Sequence, residues 1–308
     1  MMIKSFGELL EHVKGMPRTT IAVAAAQDDD VLKAVDLAWS AGVIQAILVG
    51  DAEEIRSIAA KNGLDLSAHQ VIDVPDKAEA CRKAVELVSE GKAALPMKGF
   101  VDTSVFLKAV LNKKSGLSRG RLISHVVLLG VKGFNRLFLI TDSAMNIAPT
   151  LEEKADIIRN AVEVAHALEN PLPKVAVLCA VEKVNPKMPA TIDAQQLTRM
   201  NEAGEIPGCL IKGPLALDNA ISLEAARHKG IEHPVAGKAD ILMVPDIEAG
   251  NLLNKSMEYF GHAEKAGVIV GTKVPVILTS RASSDETKMY SIILGLLVAA
   301  HYRDGGIA

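Results

Sequence analysis

Between Thr19 and Lys98 the chain alternates short β-branched runs with helical patterns, joined by connections of a few residues. Strands that recur with helices between them run parallel, because a parallel neighbour needs a crossover and the helix supplies it. A sheet built that way is covered on both faces. The pattern predicts strands over 19–25, 43–49, 70–74 and 93–97, and helices over 28–41, 52–62, 77–90 and 103–112. The run Asp28-Asp29-Asp30 suits a helix start, where the dipole favours negative charge, and Gly42 and Gly63 suit helix stops. Hydrophobic residues are 49% of the chain and aromatics 3%. The core must therefore be built from Ala, Val, Leu and Ile, which favours α/β architecture over an aromatic-rich sandwich.

A length of 308 residues is enough for two domains with separate cores. After the polar connector 112–121, segments 122–130 and 137–141 read as strands of a hairpin. A helix over 151–169 follows, with Thr150 and Glu153 forming a capping box. The α/β pattern then repeats, with strands over 174–181, 209–212 and 240–244 and helices over 192–202, 222–229 and 248–265. The last strand and helix need partners, and the simplest arrangement returns them to the first domain. The expected division is residues 1–136 with 272–308 as one domain and 137–271 as an inserted second.

The run VPVILTSRASSDETKMYSIILGLLVAA from Val274 to Ala300 reads as strand, polar loop and buried helix, with Ser284 and Asp285 of N-cap type. In open α/β sheets ligands bind beyond the carboxyl ends of strands, so Thr279, Ser280 and Arg281 fall at the mouth of a site. An arginine beside helix N–H donors can hold a phosphate or face a developing oxyanion; it can equally be a surface loop arginine. Lys98-Gly99, at another strand end and followed by Thr103 at a helix start, forms a second anion site on the same reasoning, or a solvated lysine and a turn glycine.

Other classes are disfavoured. The net charge of −3 comes from well-mixed acidic and basic residues, so there is no footprint for nucleic acid. Cys81, Cys179 and Cys209 lie far apart without metal spacing and read as buried thiols. Neither a dinucleotide fingerprint, a P-loop nor HExxH is present, and GLSRG in the polar connector 112–121 does not follow a strand as a GxSxG elbow must. His125 and His166 read as hydrogen-bonded structural residues. The N-terminal amphipathic helix is interrupted by Glu8, Glu11 and His12 and does not read as a signal peptide, and no apolar run reaches the ~18 residues of a membrane span. The reading is of a cytoplasmic protein with no membrane partner.

Several segments together carry a resemblance: Met97-Lys98-Gly99, Ser124-His125, Thr141-Asp142 to Asn146 with Pro149, and PKVAVL from Pro173. To these add VNPKMPAT from Val184, GPLALDNA from Gly213, ADILMVPDIEAGN from Ala239 and VPVILTSR from Val274. In one register over nearly the whole length, the chain resembles the phosphate acetyl/butyryltransferase family, on its butyryl-transferring side. The resemblance implies two three-layer α/β domains with a cleft between them, of the isocitrate/isopropylmalate dehydrogenase-like type, and a homodimer or higher homo-oligomer. It implies reversible transfer of an acyl group between acyl-CoA and inorganic phosphate, giving acyl phosphate and coenzyme A. Coenzyme A is then a substrate, and neither a bound cofactor nor a metal is implied.

By the same resemblance Ser280 and Arg281 match the pair that binds the acyl phosphate and polarises its carbonyl. Asn146 matches an asparagine at the cleft, Ser124 and Thr103 match hydroxyl residues near the phosphate, and Lys98 and Gly99 lie in a matching segment. Lys108 stands where the acetyl-transferring branch has arginine, keeping the charge without the bidentate fork. Thr287 stands where the family has its acidic base, leaving Asp285 and Glu286 as candidates, with Glu286 favoured for reach. The rival readings are acetyl or another short-chain acyl specificity, a metal- and NAD-dependent decarboxylating dehydrogenase using Asp218, Asp240 and Asp246, and a non-catalytic coenzyme A-binding protein.

Overall fold

The structure is a computed structural model that describes residues 2–114, 116–280 and 283–305. The chain forms two compact units. One is Phe6–Arg121 with Ala266–Asp304, and the other is Leu122–Lys265 with the first few residues. The crossings thus fall at 121–122 and 265–266, where the sequence reading set them near 136–137 and 271–272.

The first unit begins with α1 (Phe6–Lys14), then β1 (Thr19–Ala24), α2 (Asp29–Ser40), β2 (Ile44–Gly50), α3 (Ala52–Lys61), β3 (Gln70–Asp73), α4 (Lys77–Ser89), β4 (Leu95–Lys98) and α5 (Thr103–Val110). The strands pair in parallel in the order β3-β2-β1-β4. Each of α2, α3 and α4 starts on an aspartate, Asp28, Asp51 or Asp76, whose carboxylate accepts from the backbone N–H three residues on. Strand order reverses direction between β1 and β4, and a crevice at such a point is where open α/β sheets take ligands.

The second unit holds β5 (Ser124–Gly130), β6 (Leu137–Thr141), α6 (Leu151–Ala167), β7 (Lys174–Leu178), α7 (Pro189–Glu202), β8 (Leu210–Leu215), α8 (Leu217–Ile221), α9 (Leu223–His228), β9 (Ile241–Met243) and α10 (Ile247–Tyr259). Its strands run β5-β6-β9-β7-β8, antiparallel in the β5–β6 hairpin and parallel from β6 onward. The Thr150–Glu153 capping box on α6 is present. Val127, Leu129, Phe138, Ile140 and Leu242 form an apolar face against which Leu217, Ile221, Leu253 and Met257 pack.

The chain re-enters the first unit through β10 (Glu264–Val270) and ends in α11 (Asp285–Arg303). Both units are α/β, as the alternation requires. Two local expectations are corrected. The helix over 248–265 stops at Tyr259, because Gly261 and His262, whose φ is 46°, break it, and the β-branched run after them forms β10. The strand over 274–278 reduces to single bridges, Ile277 to Met97 and Val276 to Ile269, since Pro275 has no N–H to give a ladder. The helix expected over 222–229 is α9, capped by Ser222, and the short α8 precedes it. Among the described residues no helix is long and apolar enough to cross a membrane.

Candidate active site

In the first unit the end of β4 is wedged between two neighbours. Lys98 N–H donates to Ile277 O at 2.9 Å on one side, while Gly99 and Phe100 N–H donate to Ala24 O and Ala25 O at 2.8 and 2.7 Å on the other. The approach demands glycine: a Cβ on Gly99 would lie 2.2 Å from Ala25 O and 2.6 Å from Ala24 O, both backbone atoms. Lys98 is 4% exposed, and its ammonium donates to Gly99 O and Val101 O at 3.2 and 3.1 Å. A buried cation is thereby fixed at the switch point. The adjacent α5 has Asp102 at its cap position with no side-chain cap hydrogen bond, unlike α2, α3 and α4, and begins at exposed Thr103. Lys108 lies in the last turn of α5. That is ~7.5 Å along the axis from Thr103 and ~140° around it, so the helix sets Lys108 apart from the Lys98–Gly99–Thr103 group.

The extended segment that pairs with β4 at Ile277 runs on to Thr279 and Ser280. Ser280 is exposed, and its carbonyl accepts from Ser283 N–H at 3.1 Å, closing a turn. Arg281, expected to be the oxyanion-facing cation, lies outside the described residues. Ser284 caps α11 by accepting from Thr287 N–H at 3.2 Å, and its hydroxyl also donates to the Thr287 hydroxyl at 3.2 Å. Asp285 Oδ1 accepts from Glu286 N–H at 2.8 Å, whereas the Glu286 side chain stands exposed. Ser280, Asp285, Glu286 and Thr287 therefore share one loop-to-helix corner, beside the strand end that carries Lys98.

Ser124 and Asn146 belong to the second unit, and a buried carboxylate gathers their neighbourhood. Asp142, 2% exposed, accepts from His125 N–H and Asn146 Nδ2 on Oδ2 at 3.1 and 2.6 Å, and from Ala144 and Met145 N–H on Oδ1 at 2.8 and 3.0 Å. Asn146 Nδ2 also donates to Ile123 O at 3.0 Å, and Ser124 Oγ accepts from Asn160 Nδ2 at 2.9 Å. His125 Nδ1 lies 3.2 Å from Ser143 Oγ. Burial pushes the His125 imidazole pKa down, with Asp142 pulling the other way, so the ring is held neutral. His166 meets Gly208 O at 2.9 Å on the second unit's surface.

The three aspartates of the dehydrogenase reading occupy separate duties. Asp218 faces Lys229 at 3.2 Å, Asp240 accepts from Lys174 N–H at 2.9 Å, and Asp246 caps α10. Burial raises the thiols of Cys81 and Cys179 to about 11 and that of Cys209 to about 12, so all three are inert as nucleophiles.

Sequence reasoning quoted Asp142 within a matched segment but gave it no role. The signal was available, since an aspartate followed by a short polar run commonly collects N–H groups one to three residues on. Lys288 reads from the sequence only as part of the final helix.

Two α/β units, with a lysine, hydroxyls and amide donors gathered where strands end, define an α/β protein equipped to handle an anion. The family model described as phosphate acetyl/butaryl transferase matches residues 5–82 and 76–296. A phosphate butyryltransferase of Clostridium acetobutylicum is 51% identical over 97% of this chain and 100% of its own length. A phosphate acetyltransferase of Thermotoga maritima is 46% identical over 95% and 99%. Among solved structures, a branched-chain phosphotransacylase from Enterococcus faecalis V583 superposes with a TM-score of 0.83 at 36% identity, covering 91% of this chain and 99% of that one. The chain belongs to the phosphate acetyl/butyryl transferase family, and it is a phosphate acyltransferase.

Proposed function

We propose that the protein catalyses reversible transfer of a butyryl group between coenzyme A and inorganic phosphate, butanoyl-CoA and phosphate giving butanoyl phosphate and coenzyme A. The observation that carries the butyryl reading is the 51% identity, over 97% of this chain and the whole length of the relative, to a phosphate butyryltransferase. Acetyl or branched short chains are the alternative, because a methylene is worth only ~1–3 kcal/mol in a hydrophobic pocket. A panel of acetyl-, propionyl-, butyryl- and isobutyryl-CoA, scored by kcat/KM for phosphate-dependent thiol release, tests it. Butyryl-CoA ranks first on this reading, and a tenfold preference for acetyl-CoA overturns it.

In the proposed reaction Lys98, Gly99, Thr103 and the first amides of α5 bind phosphate oxygens; Ser124 and Asn146 stand as polar candidates on the family resemblance alone. Ser280 and Arg281 hold the acyl phosphate, and Arg281 with backbone donors faces the oxyanion formed when coenzyme A thiolate attacks the carbonyl. Phosphate then leaves. The thiol, with a pKa near ~8.5, is mostly protonated at neutral pH, so a carboxylate base is worth ~10²–10⁴-fold. Glu286 is the better candidate because Asp285 is engaged by a backbone N–H and Glu286 is exposed. Thr287 completes the corner, with its hydroxyl set by Ser284 and placed to hold a bridging water. Lys108 contributes charge at longer range. Coenzyme A acts as a substrate, and the working assembly is a homodimer or higher homo-oligomer.

A further inference from the structure

Lys288 lies in the opening turns of α11, where the helix dipole disfavours a cation. Its side chain is 3% exposed, so the ammonium also loses most of its water. A lysine placed against both effects needs specific partners, and among the described residues it has two. Nζ donates to Ser283 O, and it lies 3.6 Å from Asp30 Oδ2 in the first turn of α2, a helix that packs against α11. Ser283 is itself buried, at 4% exposure, and its N–H donates to Ser280 O. One peptide residue thus receives Lys288 on its carbonyl and closes the Ser280 turn with its amide. Asp30, by contrast, is 48% exposed and needs no lysine for its own solvation.

We propose that Lys288 is a positioning residue for the phosphate subsite: tethered to Asp30 of α2, its ammonium pins Ser283 and so fixes the turn that presents Ser280. The inference rests on the acyl-transfer reading of that corner. It follows that the turn is braced by a contact between two helices and not only by its own hydrogen bond. Loosening the brace weakens the phosphate interaction while leaving coenzyme A recognition alone.

The test is steady-state kinetics of Lys288→Met, Lys288→Arg and Asp30→Asn, varying phosphate and butyryl-CoA separately, together with the rise in Tm that phosphate gives each protein. Lys288→Met should raise the phosphate KM at least about tenfold with a fall in kcat, since a misplacement near 1 Å costs up to ~10²-fold. The KM for butyryl-CoA should move less than about twofold, and the phosphate-induced Tm rise should shrink. Lys288→Arg should recover part of the loss, and Asp30→Asn should shift the phosphate KM in the same direction by about two- to threefold, as suits a half-exposed partner. Equal movement of both KM values, or a phosphate KM unchanged in Asp30→Asn and in every folded Lys288 variant, overturns the proposal. Should Lys288→Met fail to fold, Asp30→Asn alone decides. If the wild type releases no thiol with phosphate, the acyl-transfer reading falls instead, and the phosphate-induced Tm rise still judges the brace.

Discussion

Asp142→Asn keeps the shape of the side chain and removes only its charge and one acceptor, so it isolates what the buried carboxylate does. Each carboxylate oxygen accepts two hydrogen bonds, Oδ2 from His125 N–H and Asn146 Nδ2, and Oδ1 from Ala144 and Met145 N–H. Whichever way an amide is set, its NH2 faces two donors. Two hydrogen bonds to a charged group are lost, at ~1.5–3 kcal/mol each, giving a destabilisation of about 3–6 kcal/mol. That is a large share of the ~5–15 kcal/mol of a typical domain. Urea unfolding followed by circular dichroism should show a lower midpoint with an unchanged m-value. Setting the NH2 at the Oδ2 position also releases Asn146, so activity should fall along with stability. A loss below about 1 kcal/mol would mean that the loop 142–146 holds itself without the carboxylate, and the reasoning would fail.

Gly99→Ala drives a Cβ into two backbone carbonyls; overpacking of this kind costs ~1–3 kcal/mol and displaces Lys98, so kcat/KM should drop by at least about tenfold, and wild-type values in both respects would refute the close-approach argument. Glu286→Gln should lower kcat by ~10²-fold or more and Asp285→Asn far less, checked at saturating substrates; both variants within threefold of wild type would remove the corner as proton acceptor. Burial lowers the pKa of His125, and of His69 and His233 likewise. The unfolded chain therefore takes up protons below about pH 6.5 that the native state refuses, and stability is lost as pH falls through that value and regained as it rises. Urea midpoints at pH 7.5 and 5.5 should differ in that sense, and His125→Gln should narrow the gap; a gap unaltered by the substitution contradicts the assignment.

Much of the fold was legible because parallel α/β units write themselves in a repeated local code. Asp28, Asp51, Asp76 and Thr150 all cap the helices they precede, and the β-branched runs all lie in strands or bridges. Legibility failed where a tertiary contact overrides the local pattern. Val274–Leu278 has strand composition, yet Pro275 and flanking loops leave it only single bridges. Lys265 falls where a helical pattern extrapolates from α10, but it sits in β10, 8% exposed and 2.6 Å from Glu258. At the candidate site, residue types at strand ends pointed to Lys98 and Ser280. The brace of Lys288 to Asp30 could not be read, because the two are far apart in sequence and only packing of α2 on α11 brings them together.

The most direct test of the whole account is to incubate the protein with butyryl-CoA and phosphate, measure free thiol, and trap acyl phosphate with hydroxylamine in the same reaction. Acyl transfer predicts thiol release that requires phosphate and is matched mole for mole by butyryl hydroxamate formed through the acyl phosphate. Thiol release without phosphate, or phosphate-dependent release with no acyl phosphate to trap, would contradict it.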